Sequence, residues 1–357
     1  MENNSRLLYN LYEDSREDKI IKGYLDSNIS FYMHGPTGVG KSSRIKALDP
    51  QRIVIYLRNA TPELINGKTV YVPPVDEVNA DSDDGMEDFK PTWLVKLEKL
   101  CNEDKDHLHI VFFDELSNAF PAIQSFVFNI ILSKEVNGNW KLPPNARVVA
   151  AGNEALESLA AYDISKPLFS RLAHVYVEDN YISWINWAAK KGLHPLVIAF
   201  MALTKGEYLR TEYNGMKPNA DPRKWEMVSN VLYKSGNLQV LYTLVDKEVV
   251  DLFIKFCFRP MVPIKAIIEN NLWDECLKVH SKNFGTEMDG YAFVANMSYC
   301  PVEYIRECYR IISKLPPKYI ELFNKIWIRN DPERLAIIEE ILSENDNLSK
   351  FQKSLKR

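Results

Sequence analysis

The first half of the chain alternates short, almost continuously apolar runs with polar or helix-forming stretches. Five of these runs have the length and the β-branched and aromatic composition of strands: NISFYM (29–34), RIVIYL (52–57), HLHIVFF (107–113), ARVVAA (146–151) and AHVYV (173–177). Strands that are covered on both faces read as continuous apolar runs. The pattern therefore predicts an α/β fold in which helices cover both faces of a five-stranded parallel sheet, an αβα sandwich.

From about Tyr181 onward the apolar positions follow a helical period. Four segments place apolar residues at intervals of three and four, and several end at glycine, a common helix stop: WINWAAKKG, HPLVIAFMALTKG, WEMVSNVLYKSG and VVDLFIKFCF. The last segment, ERLAIIEEILSENDNLSKFQKSLKR, predicts a further amphipathic helix with a charged end. We expect an α/β domain at 1–180, a helical domain at 181–260 and a C-terminal helical extension at 261–357.

Two insertions lengthen the α/β part. The first, at about 66–92, belongs to an unusually long connection between the second and third strands, and the helix-like run TWLVKLEKLC follows it. The second, at about 133–145, reads SKEVNGNWKLPPN. Its Asn137-Gly138 pair lies between two strand-like runs, which is a strong signal for a β-hairpin.

Composition and charge narrow the class of protein. Hydrophobic residues make up 46% of the 357 residues, which is typical of a folded globular chain. The formal net charge of −4 gives no overall basic field of the kind that nucleic-acid binders carry. The five cysteines form no CxxC pair, and the N-terminus lacks the apolar core of a secretory signal. We therefore expect reduced cysteines, no membrane segment and a cytoplasmic location.

The stretch FYMHGPTGVGKSSR at 31–44 contains the strongest chemical signal. GPTGVGKS fits a phosphate-binding loop, GxxxxGK followed by serine or threonine, between a predicted strand and a predicted helix. Glycine lets main-chain N–H groups point at phosphate oxygens, Lys41 would meet the terminal phosphates, and Ser42 would offer a hydroxyl to Mg²⁺. The predicted binding residues are Gly35, Pro36, Thr37, Gly38, Val39, Gly40, Lys41, Ser42 and Ser43.

A second signal, HIVFFDEL, ends a predicted strand with two acids. Asp114 would hold Mg²⁺, and Glu115 would polarise the attacking water in nucleotide hydrolysis. The alternative is that both acids are solvated at the strand end and have no catalytic role. These motifs leave the choice between adenine and guanine nucleotides open.

With both motifs present, the chain resembles the AAA+ ATPases, and further residues carry the resemblance. Asn153, in ARVVAAGNE, lies where that family has its sensor 1 residue, which orients the lytic water. Arg171, in PLFSRLAHVYVE, resembles the arginine finger that reaches a neighbouring subunit's nucleotide, and Arg223, in DPRKW, resembles sensor 2. The alternatives are a loop or cap residue for Asn153, a surface ion pair for Arg171 and a helix-start arginine for Arg223.

The two insertions and the segment LRNATPELINGK resemble the MoxR-like branch of this family, over about residues 17–260. The resemblance implies ATP and Mg²⁺ as cofactors, a ring that is a hexamer, and a helical lid at 181–260. It also implies a protein client, often a partner with a von Willebrand A domain, that is remodelled or assembled. Whether Arg223 acts on its own subunit's nucleotide or on a neighbour's stays open.

Two rival functions stay open beside the protein remodeller. One is a nucleic-acid motor of the McrB type, which the acidic total charge disfavours; the other is a nucleotide-controlled scaffold, which Glu115 disfavours. Asn59 either restrains the catalytic glutamate or is simply part of a turn. His107 and His109 share one face of the third strand, where they either bind a metal or pack at the strand start, and the sequence shows no third ligand.

Overall fold

The computed structural model describes residues 15–71, 86–152, 164–213, 215, 217–280, 284–329 and 331–344. These residues fall into two compact units, one within 15–178 and the other within 179–344.

The first unit contains the predicted strands together with two short hairpins. Its strands are β1 (Phe31–His34), β2 (Ile53–Tyr56), β3 (Lys68–Tyr71), β4 (Met86–Phe89), β5 (His109–Asp114), β6 (Glu135–Val136), β7 (Trp140–Lys141), β8 (Ala146–Ala151) and β9 (Ala173–Tyr176). Its helices are α1 (Arg16–Asp26), α2 (Lys41–Leu48), α3 (Pro62–Asn66), α4 (Thr92–Glu103), α5 (Pro121–Ser133) and α6 (Lys166–Phe169).

Five strands form one parallel sheet in the order β2-β5-β8-β1-β9. Along β1, β2, β5 and β8, alternate residues enter different apolar clusters: Tyr32 and Phe113 pack with helices α4 and α5, whereas Phe31 and Phe112 pack with α1 and α2. A layer of helices therefore covers each face, because these four strands are apolar on both sides. The expected α/β fold, an αβα sandwich around a five-stranded parallel sheet, is confirmed.

The second insertion forms the antiparallel hairpin β6–β7. Asn137 and Gly138 lie in its three-residue loop with φ values of 55° and 71°, the left-handed conformation that asparagine and glycine adopt more readily than other residues. The first insertion forms the antiparallel pair β3–β4, while its residues 72–85 lie outside the described part of the chain. The Nδ2 of Asn139 donates to Oδ2 of Asp88 at 2.6 Å, so the two insertions contact each other.

The second unit is helical, as the periodicity from Tyr181 predicts. Its helices are α7 (Tyr181–Lys191), α8 (Pro195–Leu203), α9 (Pro222–Lys234), α10 (Lys247–Cys257), α11 (Ile264–Glu269), α12 (Trp273–His280), α13 (Glu287–Met297), α14 (Ile305–Ile312), α15 (Pro317–Ile328) and α16 (Pro332–Glu344). One cluster of buried apolar side chains runs from Trp184 to Ile341, through both helical segments that the sequence separates at residue 260. Residues 345–357 of the predicted tail helix lie outside the described residues.

All five cysteines are free thiols. Within the described parts of the chain, every helix is too short or too polar to cross a membrane.

Candidate functional site

The loop after β1 begins between two neighbouring strand ends. The carbonyl of Met33 accepts from the N–H of Gly152 at 3.2 Å, and the carbonyl of His34 accepts from the N–H of Val177 at 2.9 Å. At Gly35 the backbone has a φ of +144°, and an added Cβ would lie 2.3 Å from the carbonyl oxygen of Val177. Glycine is therefore required at the first position of the loop, because a side chain would collide with the backbone of the next strand.

The loop then turns into helix α2 through left-handed glycines. Gly38 and Gly40 have φ values of 83° and 99°, and Gly40 is the N-cap of the helix. Without Cβ atoms these residues leave the main-chain N–H groups accessible, and the positive end of α2 adds to their attraction for anions. Thr37, Ser42 and Ser43 are exposed, whereas Pro36, Gly38, Val39 and Gly40 are half-buried.

The side chain of Lys41 lies inside this loop. Lys41 is 7% exposed, and its Nζ donates to the carbonyl oxygens of Gly35 at 2.6 Å and Pro36 at 3.1 Å. The ammonium group thus holds the loop closed and places a positive charge among the main-chain donors. Both features suit the binding of a polyphosphate.

The acidic end of β5 meets the start of α2. The hydroxyl of Ser42 donates to Oδ2 of Asp114 at 2.8 Å, across 72 positions of sequence. This contact brings together the two residues that the sequence assigns to Mg²⁺, and a hydroxyl and a carboxylate are the oxygen ligands that this ion prefers. The arrangement therefore fits a Mg²⁺-nucleotide, although the individual roles stay predictions.

Glu115 has an uncommon backbone conformation. Its φ and ψ are 60° and 36°, in the left-handed region, and its N–H donates to Oδ1 of Asp114 at 3.0 Å. Left-handed conformations are rare for residues other than glycine and cost energy, so they concentrate at functional sites. Glu115 directly follows β5 and is half-buried next to Asp114.

Tyr32 contributes to this edge of the sheet although its sequence context gave no signal. Its side chain is 1% exposed, and its hydroxyl is hydrogen-bonded to the side chain of Ser117. Burial raises the pKa of Tyr32 to about 12, with a further contribution from Asp114, so the hydroxyl stays protonated. An added Cβ at Gly152 would lie 2.0 Å from the Tyr32 hydroxyl, so glycine is needed directly before the predicted Asn153.

A histidine pair was also missed, and only the position of His34 directly before the loop hinted at it. Nε2 of His174 lies 2.8 Å from the carbonyl oxygen of Phe169, so this nitrogen carries the hydrogen and donates. Nδ1 of His174 then accepts from Nε2 of His34 at 2.8 Å. Burial lowers the pKa of His34 to about 4, helped by His174 and Lys41, so His34 is neutral at pH 7. The pair connects the phosphate-loop strand to the segment that carries Arg171.

The other predicted residues are placed as follows. Arg171 is exposed; its Nη1 donates to the carbonyl oxygen of Pro167 at 3.0 Å, and its guanidinium lies 5.1 Å from the ring centre of Phe128. Arg223 is exposed in the first turn of α9. Asn59 is exposed and is the last residue of a short turn, 57–59. This turn contacts residues 116–118, which directly follow Glu115. Asn153 lies outside the described residues.

No protein-family model matches the sequence, and no curated protein matches it. Among solved structures, NtrX from Brucella abortus in complex with ADP gives a TM-score of 0.39 at 15% identity, over 83% of this chain and 67% of that chain. NtrX in complex with ATP gives 0.38 at 15% identity and the same coverage. A candidate ATPase from Cytophaga hutchinsonii gives 0.31 at 12% identity, over 67% of this chain and 87% of that chain. These likenesses are distant, with identities of 15% or less.

Proposed function

We propose that the chain is an ATPase of the AAA+ family, of the MoxR-like branch, that hydrolyses ATP with Mg²⁺ in a ring of identical subunits. The hydrogen bond of 2.8 Å between Ser42 and Asp114 carries the proposal, because it joins a phosphate-binding loop to an acidic strand end. The combination of that loop, a buried lysine within it and a carboxylate beside its first helical hydroxyl is the arrangement that phosphoryl transfer needs.

Binding of the nucleotide would use the loop from Gly35 to Ser43. Main-chain N–H groups around Gly38 and Gly40 donate to phosphate oxygens, and Lys41 exchanges its carbonyl partners for the terminal phosphates. Ser42 and Asp114 hold Mg²⁺ through their oxygens. When bound, Mg²⁺ neutralises charge that develops on the phosphoryl oxygens.

Hydrolysis would depend on Glu115. Its carboxylate, next to Asp114 at the end of β5, would accept a proton from water and align that water. We propose that Asn153 orients the same water. Tyr32 stays protonated and His34 stays neutral near pH 7, which leaves Lys41 as the positive group within the loop.

Assembly into a ring would complete each site. The guanidinium of Arg171 is exposed, and its described partners are uncharged groups of its own neighbourhood, so it is available to a neighbouring subunit's γ-phosphate. We propose Arg223 as sensor 2 in a helical lid at 181–260, followed by an extension at 261–357. A hexamer is what the family resemblance implies.

The client would be a protein, such as a partner with a von Willebrand A domain, in the cytoplasm. The support is the pair of insertions, 66–92 and 133–145, which meet through Asp88 and Asn139 and offer one combined surface for a client. A nucleic-acid client is less favoured because the chain carries a net charge of −4.

Steady-state hydrolysis of Mg-ATP tests the enzyme proposal. Glu115→Gln should lower kcat by about 10²–10⁴-fold, the usual contribution of a general base, while ATP affinity is retained. Glu103→Gln, which makes the same chemical change at the exposed end of α4, should leave kcat unchanged. Equal, slow turnover in the native protein and Glu115→Gln would contradict hydrolysis and support a nucleotide-controlled scaffold.

The client is tested with the same variant. Glu115→Gln, loaded with Mg-ATP, should retain a protein client in a pull-down that the Lys41→Ala variant does not retain. Stimulation of hydrolysis by DNA, with a steep decline as salt rises, would instead identify a nucleic-acid motor.

A further inference from the structure

The start of β5 contains a buried histidine with unmet hydrogen-bonding capacity. His109 is 1% exposed, and both of its ring nitrogens are buried with no hydrogen-bond partner among the described residues. Buried polar side chains nearly always have a partner, because an unmade hydrogen bond in a protein interior costs free energy. The imidazole of His109 therefore indicates a partner that is not one of the described side chains.

Asp49 lies beside this ring. It directly follows helix α2, and it is 0% exposed. Its Oδ1 accepts from the N–H of Gln51 at 2.9 Å, and its Oδ2 accepts from the N–H of Ile110 at 2.8 Å. These two bonds fix the orientation of the carboxylate, while each oxygen keeps a second lone pair for another partner.

His107 completes the cluster from the solvent side. Its Nε2 lies 3.3 Å from Oδ1 of Asp49, and its side chain is 36% exposed. The backbone of His107 is held on both sides, since its N–H donates to Oδ1 of Asp104 and its carbonyl accepts from Nδ2 of Asn145, both at 3.1 Å. The cluster thus has a fixed frame and an entry path from solvent, which a metal site requires.

We propose that Asp49, His107 and His109 bind a divalent transition-metal ion, for which Zn²⁺ is the best match. One ligand atom from each residue lies within 4.8 Å of the others, and Nδ1 of His109 is 4.0 Å from Oδ2 of Asp49. Neighbouring ligands of a tetrahedral Zn²⁺ lie about 3.4 Å apart, as bond lengths of about 2.0–2.1 Å require, so small rotamer adjustments suffice. Two imidazoles and one carboxylate leave the fourth position to water.

A simpler explanation of the cluster is an ion pair between Asp49 and His107, but it does not account for His109. Such a pair explains why His107 approaches the carboxylate, but it leaves both nitrogens of His109 unpartnered. A metal ion would take one of these nitrogens as a ligand, so one of the two would gain a partner. His109 is the observation that favours the metal.

The bound ion would act as a structural clamp. Asp49 follows the last residue of α2, and His109 is the first residue of β5, so the ion would join the two elements at one edge of the sheet. The same two elements carry Lys41 and Asp114 at their opposite ends. The metal site uses none of the proposed nucleotide-binding residues, so its test does not depend on whether the protein is an ATPase.

Calorimetric titration of ZnCl₂ into protein that has been stripped with EDTA tests the site. We expect the native protein to bind Zn²⁺ with a rise in melting temperature, and His107→Ala to lose one equivalent or bind it at least about 100-fold more weakly. Because His107 is partly exposed, this variant should fold, and its melting curve in EDTA checks that. His109→Leu supplies a second test that removes the buried ligand and fills most of its volume.

Two control variants separate this site from other ligands. Asp106→Asn changes an exposed carboxylate in the same loop and should bind Zn²⁺ as the native protein does. His34→Gln disrupts the other histidine pair and should also leave the equivalent at Asp49 in place. The proposal would be overturned if the native protein did not bind Zn²⁺, or if both His107→Ala and His109→Leu bound it as the native protein does. Loss of Zn²⁺ binding in His34→Gln alone would also overturn it.

Discussion

Substituting Gly152 by alanine should destabilise the α/β unit from within the candidate site. The new Cβ would lie 2.0 Å from the hydroxyl of Tyr32 and 2.7 Å from Oγ of Ser117. Tyr32 cannot retreat, because it is 1% exposed and lies on β1 between paired neighbours on β8 and β9. Overpacking costs about 1–3 kcal/mol and the loss of the Tyr32–Ser117 hydrogen bond about 1 kcal/mol, so we expect a loss of about 2–4 kcal/mol.

Thermal unfolding followed by circular dichroism measures this loss, which corresponds to a decrease in Tm of roughly 5–15 °C for a unit of this size. Gly23→Ala is the matched control, since nothing lies within 4 Å of its added Cβ in helix α1, and it should be neutral or stabilising by up to about 1 kcal/mol. Adding Tyr32→Phe removes the hydroxyl and should make the double variant less unstable than the sum of the single changes. A Gly152→Ala protein that melts with the native protein would refute the reasoning.

Two titrating groups make further predictions. His34 has its pKa lowered from 6.5 to about 4 by burial, His174 and Lys41, so the unfolded chain binds its proton more readily and stability falls as pH drops from about 6.5 to about 4. This difference in pKa corresponds to about 3.4 kcal/mol, which solvent screening of the half-buried ring reduces to about 2 kcal/mol. His34→Gln should abolish about 2 kcal/mol of the loss in a pH series of melting curves, and an unchanged pH profile would contradict this assignment. Burial and Arg147 lower the pKa of Lys134 from 10.5 to about 8, so its charge costs stability at pH 7, and the cost disappears as pH rises from about 8 to about 10.5. Lys134→Met should therefore raise the melting temperature at pH 7 and flatten the alkaline pH profile, whereas a lower melting temperature would count against the assignment.

Much of the fold follows from local sequence. Four of the five sheet strands are apolar on both sides, which is why continuous runs such as HIVFF identify them without knowledge of their neighbours. The hairpin β6–β7 follows from Asn137 and Gly138, because these residues adopt left-handed conformations at low cost. The phosphate loop is likewise local, since its glycines are required by backbone conformation within a few residues.

The remaining features depend on which strands become neighbours. His34 and His174 are 140 residues apart and meet only because β1 pairs with β9. Asp49 reaches the start of β5 because α2 leads into β2, and β2 pairs with β5 in parallel. Strand order depends on residues that are far apart in the sequence. The sequence pattern therefore identified His107 and His109 as a pair but did not identify Asp49 as the third ligand. The roles of Arg171 and Arg223 depend on subunit or nucleotide contacts and stay predictions.

The binding of a non-hydrolysable ATP analogue with Mg²⁺ to the Lys41→Ala variant tests the central claim most directly. The Lys46→Ala variant, which removes an exposed lysine from the same helix, is its matched control. Loss of a charge-assisted hydrogen bond to phosphate predicts an affinity at least about 10-fold weaker for Lys41→Ala, with native affinity for Lys46→Ala. Equal affinity of Lys41→Ala and the native protein for the analogue would contradict the assignment of this loop to nucleotide binding.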